Sequence, residues 1–131
     1  MIGRALERGV LGLSALVLIV VGAGAAFAPA AFYAGFGIEV DGAPALASEL
    51  RSTGVALLLL GLAVAAGAVW RRWTFPAAIV AALVLLGYAV GRVISGIVDG
   101  APDGTLLVAG IAEFVLGAAA AWVAVRTRPR S

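Results

Sequence analysis

The chain has 131 residues, of which 63% are hydrophobic and 12% are charged, whereas soluble domains average about 25% charged residues. With a mean hydropathy of +1.14, this composition predicts an integral membrane protein, and the length suits one domain (residues 1–131) of four spans of about 20 residues each. The net charge is +2 and every basic residue is arginine. Most arginines lie at predicted helix ends, so no basic face for nucleic acid is expected.

The composition also excludes several kinds of chemistry. The chain has no cysteine and no histidine, and its only methionine is Met1. Disulfides, the usual zinc sites, and thiolate or histidine catalysts are therefore excluded. Haem bound through histidine, cysteine or an internal methionine is also excluded, which leaves only the rare ligation by tyrosine. We expect no cofactor, no metal and no catalytic residue, and therefore a protein that is not an enzyme.

Four apolar runs predict four transmembrane helices, at about residues 9–28, 46–70, 76–98 and 104–125. Pro29 ends the first run because proline interrupts helical hydrogen bonding. Pro76 suits the first turn of the third helix. The predicted fold is an all-α, four-helix membrane bundle.

The first run has an alternative interpretation as a signal peptide. Arg4 and Arg8 precede the apolar segment, and "AFA" or "APA" resembles a cleavage site. Pro29 directly follows the "AFA" site and disfavours cleavage there. Cleavage at the "APA" site stays an alternative, and we expect a retained helix.

Charge predicts the orientation of the bundle. Seven of the nine arginines lie on one side of the four spans, and four acidic loop residues lie on the other. Arginine is enriched in cytoplasmic loops, so we expect a multi-pass protein of the inner (cytoplasmic) membrane with both termini in the cytoplasm. The arginines are Arg4, Arg8, Arg71, Arg72, Arg126, Arg128 and Arg130, and the acids are Glu39, Asp41, Asp99 and Asp103.

Aromatic residues fit the same orientation, because their side chains favour membrane interfaces. One group is expected near the cytoplasmic interface and comprises Trp70, Trp73 and Trp122. A second group is expected near the outer interface and comprises Phe32, Tyr33 and Phe36.

The pentapeptide "VDGAP" occurs twice, at residues 40–44 and 98–102, each time before an even-numbered span. The repetition is consistent with two parallel helical hairpins. It is also consistent with two independent turns, since Asp-Gly favours turns and proline starts helices. We favour independent turns, because little matches outside the five residues.

Three helical regions carry charges that the loops do not explain: Glu49 and Arg51 in the second, Arg92 in the third and Glu113 in the fourth. Each charge inside a membrane costs about 3 kcal/mol on insertion scales, and a bidentate arginine–carboxylate pair reduces that cost. We therefore predict that Glu113 contacts Arg92 or Arg51, with Arg92 the better candidate.

Small residues recur every fourth position on two spans. Ala109, Glu113, Gly117 and Ala121 form one such face, which is expected to turn Glu113 into the bundle. Gly87, Gly91 and Ser95 form another, which is expected to bring the third helix close to a neighbour, since small faces let membrane helices approach.

The internal charges admit two interpretations. An Arg–Glu pair inside the bundle is able simply to set helix register and topology. Alternatively, the charges line an outward-facing polar pocket for a headgroup, a small molecule or a proton. The residues predicted for such a pocket are Glu49, Arg51, Tyr88, Arg92, Asp99 and Glu113.

At these residues the chain resembles a bacterial family of small four-helix membrane proteins, catalogued as domain of unknown function 4345 and distantly similar to DoxX-like proteins. The resemblance covers most of the chain. Its markers are Pro29, Glu49-x-Arg51, Gly91-Arg92, Asp99-Gly100-x-Pro102 and Glu113. It implies the four-helix fold and no defined activity. Some DoxX-like proteins are subunits associated with quinone-linked oxidation, which implies a partner complex.

Two functions are compatible with this sequence, and an enzyme is the weakest alternative, because two carboxylates are able to do acid–base work but no nucleophile or metal set accompanies them. The first, which the sequence favours, is a non-enzymatic accessory or structural subunit that packs against other membrane proteins or against itself. The second is a lipid-, quinone- or small-molecule-binding protein, or a transporter, that uses the charged pocket. Membrane lipid is an expected partner in either case, and nucleic acid is not.

Overall fold

The computed structural model describes residues 2–129, and within that range all regular structure is helical. Four long helices are joined by short connections, and each is long and apolar enough to cross a membrane. The protein is thus an all-α, multi-pass membrane bundle. In chain order the helices are α1 (Ile2–Phe27), α2 (Pro29–Ala34), α3 (Pro44–Val69), a 3-10 turn (Arg71–Trp73), α4 (Thr74–Val98) and α5 (Gly104–Thr127).

Two helical features differ from the sequence-based prediction by more than two residues. α1 extends back to Ile2 instead of starting near residue 9, because a helix needs no apolar residues once it has left the hydrocarbon. The first turns of α1 contact α5 through an ion pair, in which Oε1 of Glu7 lies 3.5 Å from Nε of Arg126. The short helix α2 was not predicted at all.

The break between α1 and α2 lies at Pro29, as its chemistry requires. Ala28 leaves the helical conformation (φ −138°, ψ 57°), because the residue before a proline disfavours it. The carbonyl groups of Ala26 and Phe27 then need other donors. Arg51 of α3 supplies them, since its Nη1 lies 2.7 Å from the Ala26 oxygen and 3.4 Å from the Phe27 oxygen.

The long helices associate as two hairpins, α1 with α3 and α4 with α5. The start of α1, the end of α5 and the 3-10 turn lie at one end of the bundle, which we call the terminal end. The connections at residues 35–43 and 99–103 lie at the opposite end, the loop end. The cytoplasmic location of the terminal end stays a prediction, and one of its seven predicted arginines, Arg130, lies outside the described residues.

Glycines hold α1 and α3 close together. A Cβ atom at Gly22 would lie 2.5 Å from the Leu58 backbone nitrogen, and one at Gly54 would lie 2.8 Å from the Gly22 oxygen. Gly61 packs in the same way, with a built Cβ 2.8 Å from Cγ1 of Ile19. The two backbones are therefore in close contact over the stretch of α3 from Gly54 to Gly61, about 10 Å at 1.5 Å per residue, in the manner of small-residue interfaces in membrane proteins.

The core that joins the two hairpins lies in the terminal half of the bundle. In α4 the buried residues all lie between Thr74 and Ala89, and in α5 they lie between Gly117 and Val123. Thr74 also closes the connection from α3 by donating a 3.0 Å hydrogen bond to the Gly67 oxygen. Towards the loop end the hairpins are not joined by buried contacts, and a cleft separates them.

The two VDGAP segments form turns in which glycine has a positive φ, 79° at Gly42 and 109° at Gly100, a conformation that glycine adopts without strain. Beyond this shared turn the copies differ. Pro44 stands in the first turn of α3, as predicted. Pro102 does not start α5, which begins after Asp103, whose carboxylate accepts a 3.0 Å hydrogen bond from the Leu106 nitrogen.

Candidate functional site: an intramembrane cleft between the hairpins

The cleft between the hairpins has a volume of about 850 Å³, within the range of about 300–1,000 Å³ for small-molecule sites. All four long helices and α2 line it. Most of its walls are aliphatic, with residues such as Val17, Val21, Leu57, Leu60 and Leu83. Its polar lining is confined to the half nearest the loop end, where Arg92 and Glu113 lie.

Arg92 and Glu113 form a bidentate ion pair across α4 and α5. Nε of Arg92 lies 2.7 Å from Oε2 of Glu113, and Nη2 lies 2.8 Å from Oε1. The side chains are 29% and 15% exposed. Glu113 lies nine residues into α5 and Arg92 six residues before the end of α4, depths of about 13 Å and 9 Å at 1.5 Å per residue. The predicted contact between Glu113 and Arg92 is confirmed.

Two glycines of α5 allow this pairing. A Cβ at Gly117 would lie 2.8 Å from Cγ of Leu86, so α4 and α5 are in close contact there. A Cβ at Gly110 would lie 3.1 Å from Cδ of Arg92. The aliphatic stem of Arg92 thus crosses α5 over Gly110 and delivers its guanidinium group to Glu113.

The prediction that the Gly87–Gly91–Ser95 face brings α4 against a neighbouring helix is wrong. A Cβ at Gly87 or at Gly91 would meet no atom within 4 Å, and all three residues line the cleft. The contact with α5 uses Leu86 instead, which lies about 100° around the helix from Gly87. The face Ala109–Glu113–Gly117–Ala121, in contrast, does point into the bundle as predicted.

An aromatic cluster from α2 and the residues after it forms a further wall of the cleft. The ring centroids of Phe32 and Tyr33 are 5.2 Å apart, and those of Phe32 and Phe36 are 5.5 Å apart. The Phe32 ring packs directly over Gly24 of α1. The cluster lies at the loop end, as predicted, but it faces the cleft.

Tyr33 brings this wall within electrostatic reach of the ion pair. Burial raises the pKa of the Tyr33 hydroxyl above its ordinary value, and the positive charge of Arg92 opposes that rise. Tyr88, one turn before Arg92 on α4, also lines the cleft. Two tyrosines and one ion pair therefore provide most of its polar chemistry.

Three of the six residues predicted for the pocket lie together in the cleft: Tyr88, Arg92 and Glu113. The other three do not line it. Glu49 is exposed near the start of α3. Arg51 is occupied by the carbonyl groups that end α1, and the Asp99 carboxylate accepts a 2.9 Å hydrogen bond from Ser95 Oγ at the end of α4.

The separation of these residues has a physical cause. Glu49 and Arg51 lie in the first two turns of α3. Solvent satisfies the charge of Glu49, and the unpaired carbonyl groups at the end of α1 accept hydrogen bonds from Arg51. Neither side chain would therefore gain free energy by turning into the cleft. Among residues 2–129 no group of three or more carboxylates is arranged to hold a metal ion.

Sequence reasoning missed the part that α2 plays and the role of Gly110. The spacing of Phe32, Tyr33 and Phe36 directly after Pro29 was a usable signal, because it places three aromatic rings within two helical turns. Gly110, three residues before Glu113, lies on the same face of α5. That spacing was also a signal, since the partner of Glu113 must pass close to this position.

Comparison with known proteins gives one family match. The family model described as Domain of unknown function (DUF4345) matches residues 6–124. The chain belongs to this family. The matched range contains Tyr88, Arg92, Glu113 and the aromatic cluster, so the whole cleft lies within the family domain. No match was found among curated proteins or among solved structures, and the distant similarity to DoxX-like proteins stays a prediction.

Proposed function

We propose that this DUF4345 protein is a non-enzymatic membrane protein that binds a lipid-soluble small molecule, with one polar end, in the cleft between its hairpins. The observation that carries the proposal is the cleft itself. It holds about 850 Å³, and it combines long aliphatic walls with a single compact polar region.

The distribution of side chains in the cleft matches an amphiphile. An apolar chain is accommodated along Leu57, Leu60 and Leu83, and a polar end lies beside Tyr88 and Arg92. Ligand sites commonly combine mostly apolar walls with a few polar groups that orient the ligand. Charged groups inside membrane helices are expensive, and they are functional candidates for that reason.

Exposure of α4 supports entry from the bilayer. Leu83 lines the cleft and is 70% exposed, and Gly87 and Gly91 are exposed in the same way. A molecule dissolved in the membrane therefore reaches the cleft sideways, past the glycines of α4. The terminal half of the bundle is filled by core side chains, which favours binding over passage through the bundle.

A cleft-filling variant tests the proposal. Gly87→Leu adds a side chain where a Cβ meets no atom, and Gly9→Leu makes the same change at an equally open position outside the cleft. The two variants and the unmodified protein are purified from native membranes, and co-purified molecules are quantified by mass spectrometry. We expect a stoichiometric amphiphile in the unmodified protein and in Gly9→Leu, and its loss from Gly87→Leu. Equal retention in all three would contradict the proposal.

The accessory-subunit function is a second candidate, and the exposure of α5 favours it. Of the four spans, α5 has the smallest buried share, so most of its surface is available to another membrane protein or to a second copy. Cross-linking from Val115 on the exposed face of α5 tests this. A stoichiometric protein partner that is also retained by Gly87→Leu would favour the accessory function.

A further inference from the structure

We infer that the polar end of the ligand is uncharged and carries an oxygen atom that accepts hydrogen bonds, such as a carbonyl or a hydroxyl oxygen. The inference rests on the proposed function and specifies the chemical class of the ligand. It follows from the way in which Arg92 and Glu113 already satisfy each other.

The ion pair leaves no net charge for a ligand to neutralise. Both oxygen atoms of Glu113 accept hydrogen bonds from Arg92. An anionic headgroup that took Arg92 would leave the carboxylate unpaired at 15% exposure. A cationic headgroup that took Glu113 would leave the guanidinium group unpaired. Breaking a buried pair in either way is strongly unfavourable, because the surviving charge has no compensation.

Arg92 nevertheless retains donors for a neutral ligand. Arginine has five N–H donors, and Glu113 takes one from Nε and one from Nη2, which leaves three. Within residues 2–129 these three have no other hydrogen-bond acceptor. Tyr33 and Tyr88, which each have a hydroxyl donor, line the same cleft. A carbonyl or hydroxyl oxygen is able to use these donors while the ion pair stays intact.

Two sources of such an oxygen are chemically distinct. A quinone offers ring carbonyl groups that only accept, and its flat ring fits beside the aromatic cluster of Phe32, Tyr33 and Phe36. A long-chain alcohol offers a hydroxyl that both donates and accepts. Both kinds of molecule are able to bind while the ion pair stays intact, so the test includes one of each.

The first experiment compares four probes with similar alkyl tails on the purified protein in zwitterionic nanodiscs, with empty nanodiscs as the blank. The probes are a decyl-substituted benzoquinone, dodecan-1-ol, dodecylsulfonate and dodecyltrimethylammonium. We expect one or both neutral probes to bind one per protein, about tenfold or more tightly than either ion, since an ion either breaks the buried pair or adds an uncompensated charge to the cleft. Tighter or equal binding of either ion would overturn the inference and leave the proposed function standing. Saturable binding by none of the four would overturn the proposed function itself.

The second experiment changes the charge of the site. Glu113→Gln leaves Arg92 as an unpaired cation in the cleft, so dodecylsulfonate affinity should rise about tenfold or more, because a desolvated guanidinium group favours an anion. Glu49→Gln removes the same charge from an exposed position outside the cleft and should leave all four affinities unchanged.

The double variant Arg92→Gln/Glu113→Gln has no unpaired charge in the cleft. Its affinity for dodecylsulfonate is a second test, which remains available if Glu113→Gln does not fold. The double variant should bind the anion no better than the unmodified protein does. A gain in sulfonate affinity in the double variant, or no gain in a folded Glu113→Gln, would overturn the inference.

Discussion

Among the described residues, Glu113 and Arg92 form the one ion pair in the loop-end half of this bundle. Glu113 lies about 13 Å inside α5, and its two oxygen atoms are both occupied by Arg92. The geometry of the Arg92–Glu113 pair is the same whether the pair sets the register of the helices or orients a ligand. The two roles differ in what happens to binding when the pair is changed.

We predict that Glu113→Gln and Arg92→Gln each lower the free energy of unfolding by about 2 kcal/mol or more, because the survivor of a broken pair is left uncompensated. The double variant should recover part of the loss. Thermal unfolding in detergent measures all three, with Glu49→Gln as the control for loss of an exposed carboxylate. Strictly additive losses in the double variant would mean that the two groups do not stabilise each other.

Arg51 has a different part from the one that the sequence suggested. It donates to the carbonyl groups of Ala26 and Phe27 at the break before Pro29, and it lies outside the cleft. We predict that Arg51→Gln lowers the free energy of unfolding by about 1.5 kcal/mol, the lower end of the contribution of hydrogen bonds to charged groups, because Arg51 is exposed. Binding of a neutral probe in the cleft should be unchanged.

The matched control for Arg51 is Arg71→Gln, which removes an exposed arginine at the terminal end. It should leave unfolding unchanged. A loss of probe affinity in Arg51→Gln larger than in Arg71→Gln would mean that Arg51 belongs to the binding site.

At the scale of the elements, glycine has two opposite uses. On α1 and α3 it permits backbone contact, because a Cβ at Gly54 would collide with the backbone of Ala25 and Ala26. On α4 it leaves space, because Gly91 faces the open cleft. The residue type is the same, and only its surroundings decide which use applies.

We predict opposite effects of adding one methyl group at these positions. Gly54→Ala should destabilise by about 2 kcal/mol or more, since overfilling a close-packed contact forces the helices apart. Gly91→Ala should be neutral or should stabilise by up to about 1 kcal/mol, because alanine favours a helix over glycine. Thermal unfolding of both variants in the same detergent checks this. Equal effects would contradict the close packing of α1 on α3.

At the scale of the whole molecule, the open prediction is orientation. The exposed tryptophans and all the described arginines except Arg51 and Arg92 lie at the terminal end. Because the chain has no cysteine, single-cysteine variants report directly on each side. We predict that Ala101→Cys at the loop end reacts with an impermeant thiol reagent from outside the cell, and that Arg72→Cys reacts only after the membrane is opened.

Ala43→Cys repeats the test in the first VDGAP turn and should behave like Ala101→Cys. The reversed pattern would place the termini outside. A divided pattern between the two turns would mean that the helices do not all cross the membrane.

Much of this architecture follows from the sequence alone. Four spans, their order and the Arg92–Glu113 contact were all predicted, because the cost of placing a polar group in hydrocarbon depends on residue type and depth. A lone carboxylate nine residues into an apolar helix needs a cation, and few cations lie at its level. Composition and spacing are sufficient for that argument.

The tertiary structure alone decided how the faces are used. Small residues are compatible both with tight packing and with empty space, so their spacing did not distinguish Gly54, which contacts α1, from Gly87 and Gly91, which line the cleft. Arg51 likewise has a reach that permits several acceptors, and only the position of the end of α1 beside α3 selects the Ala26 carbonyl. The sequence determined which groups must avoid lipid. The packing of the two hairpins determined what each one meets instead, because contacts between helices depend on their relative placement and not on local composition.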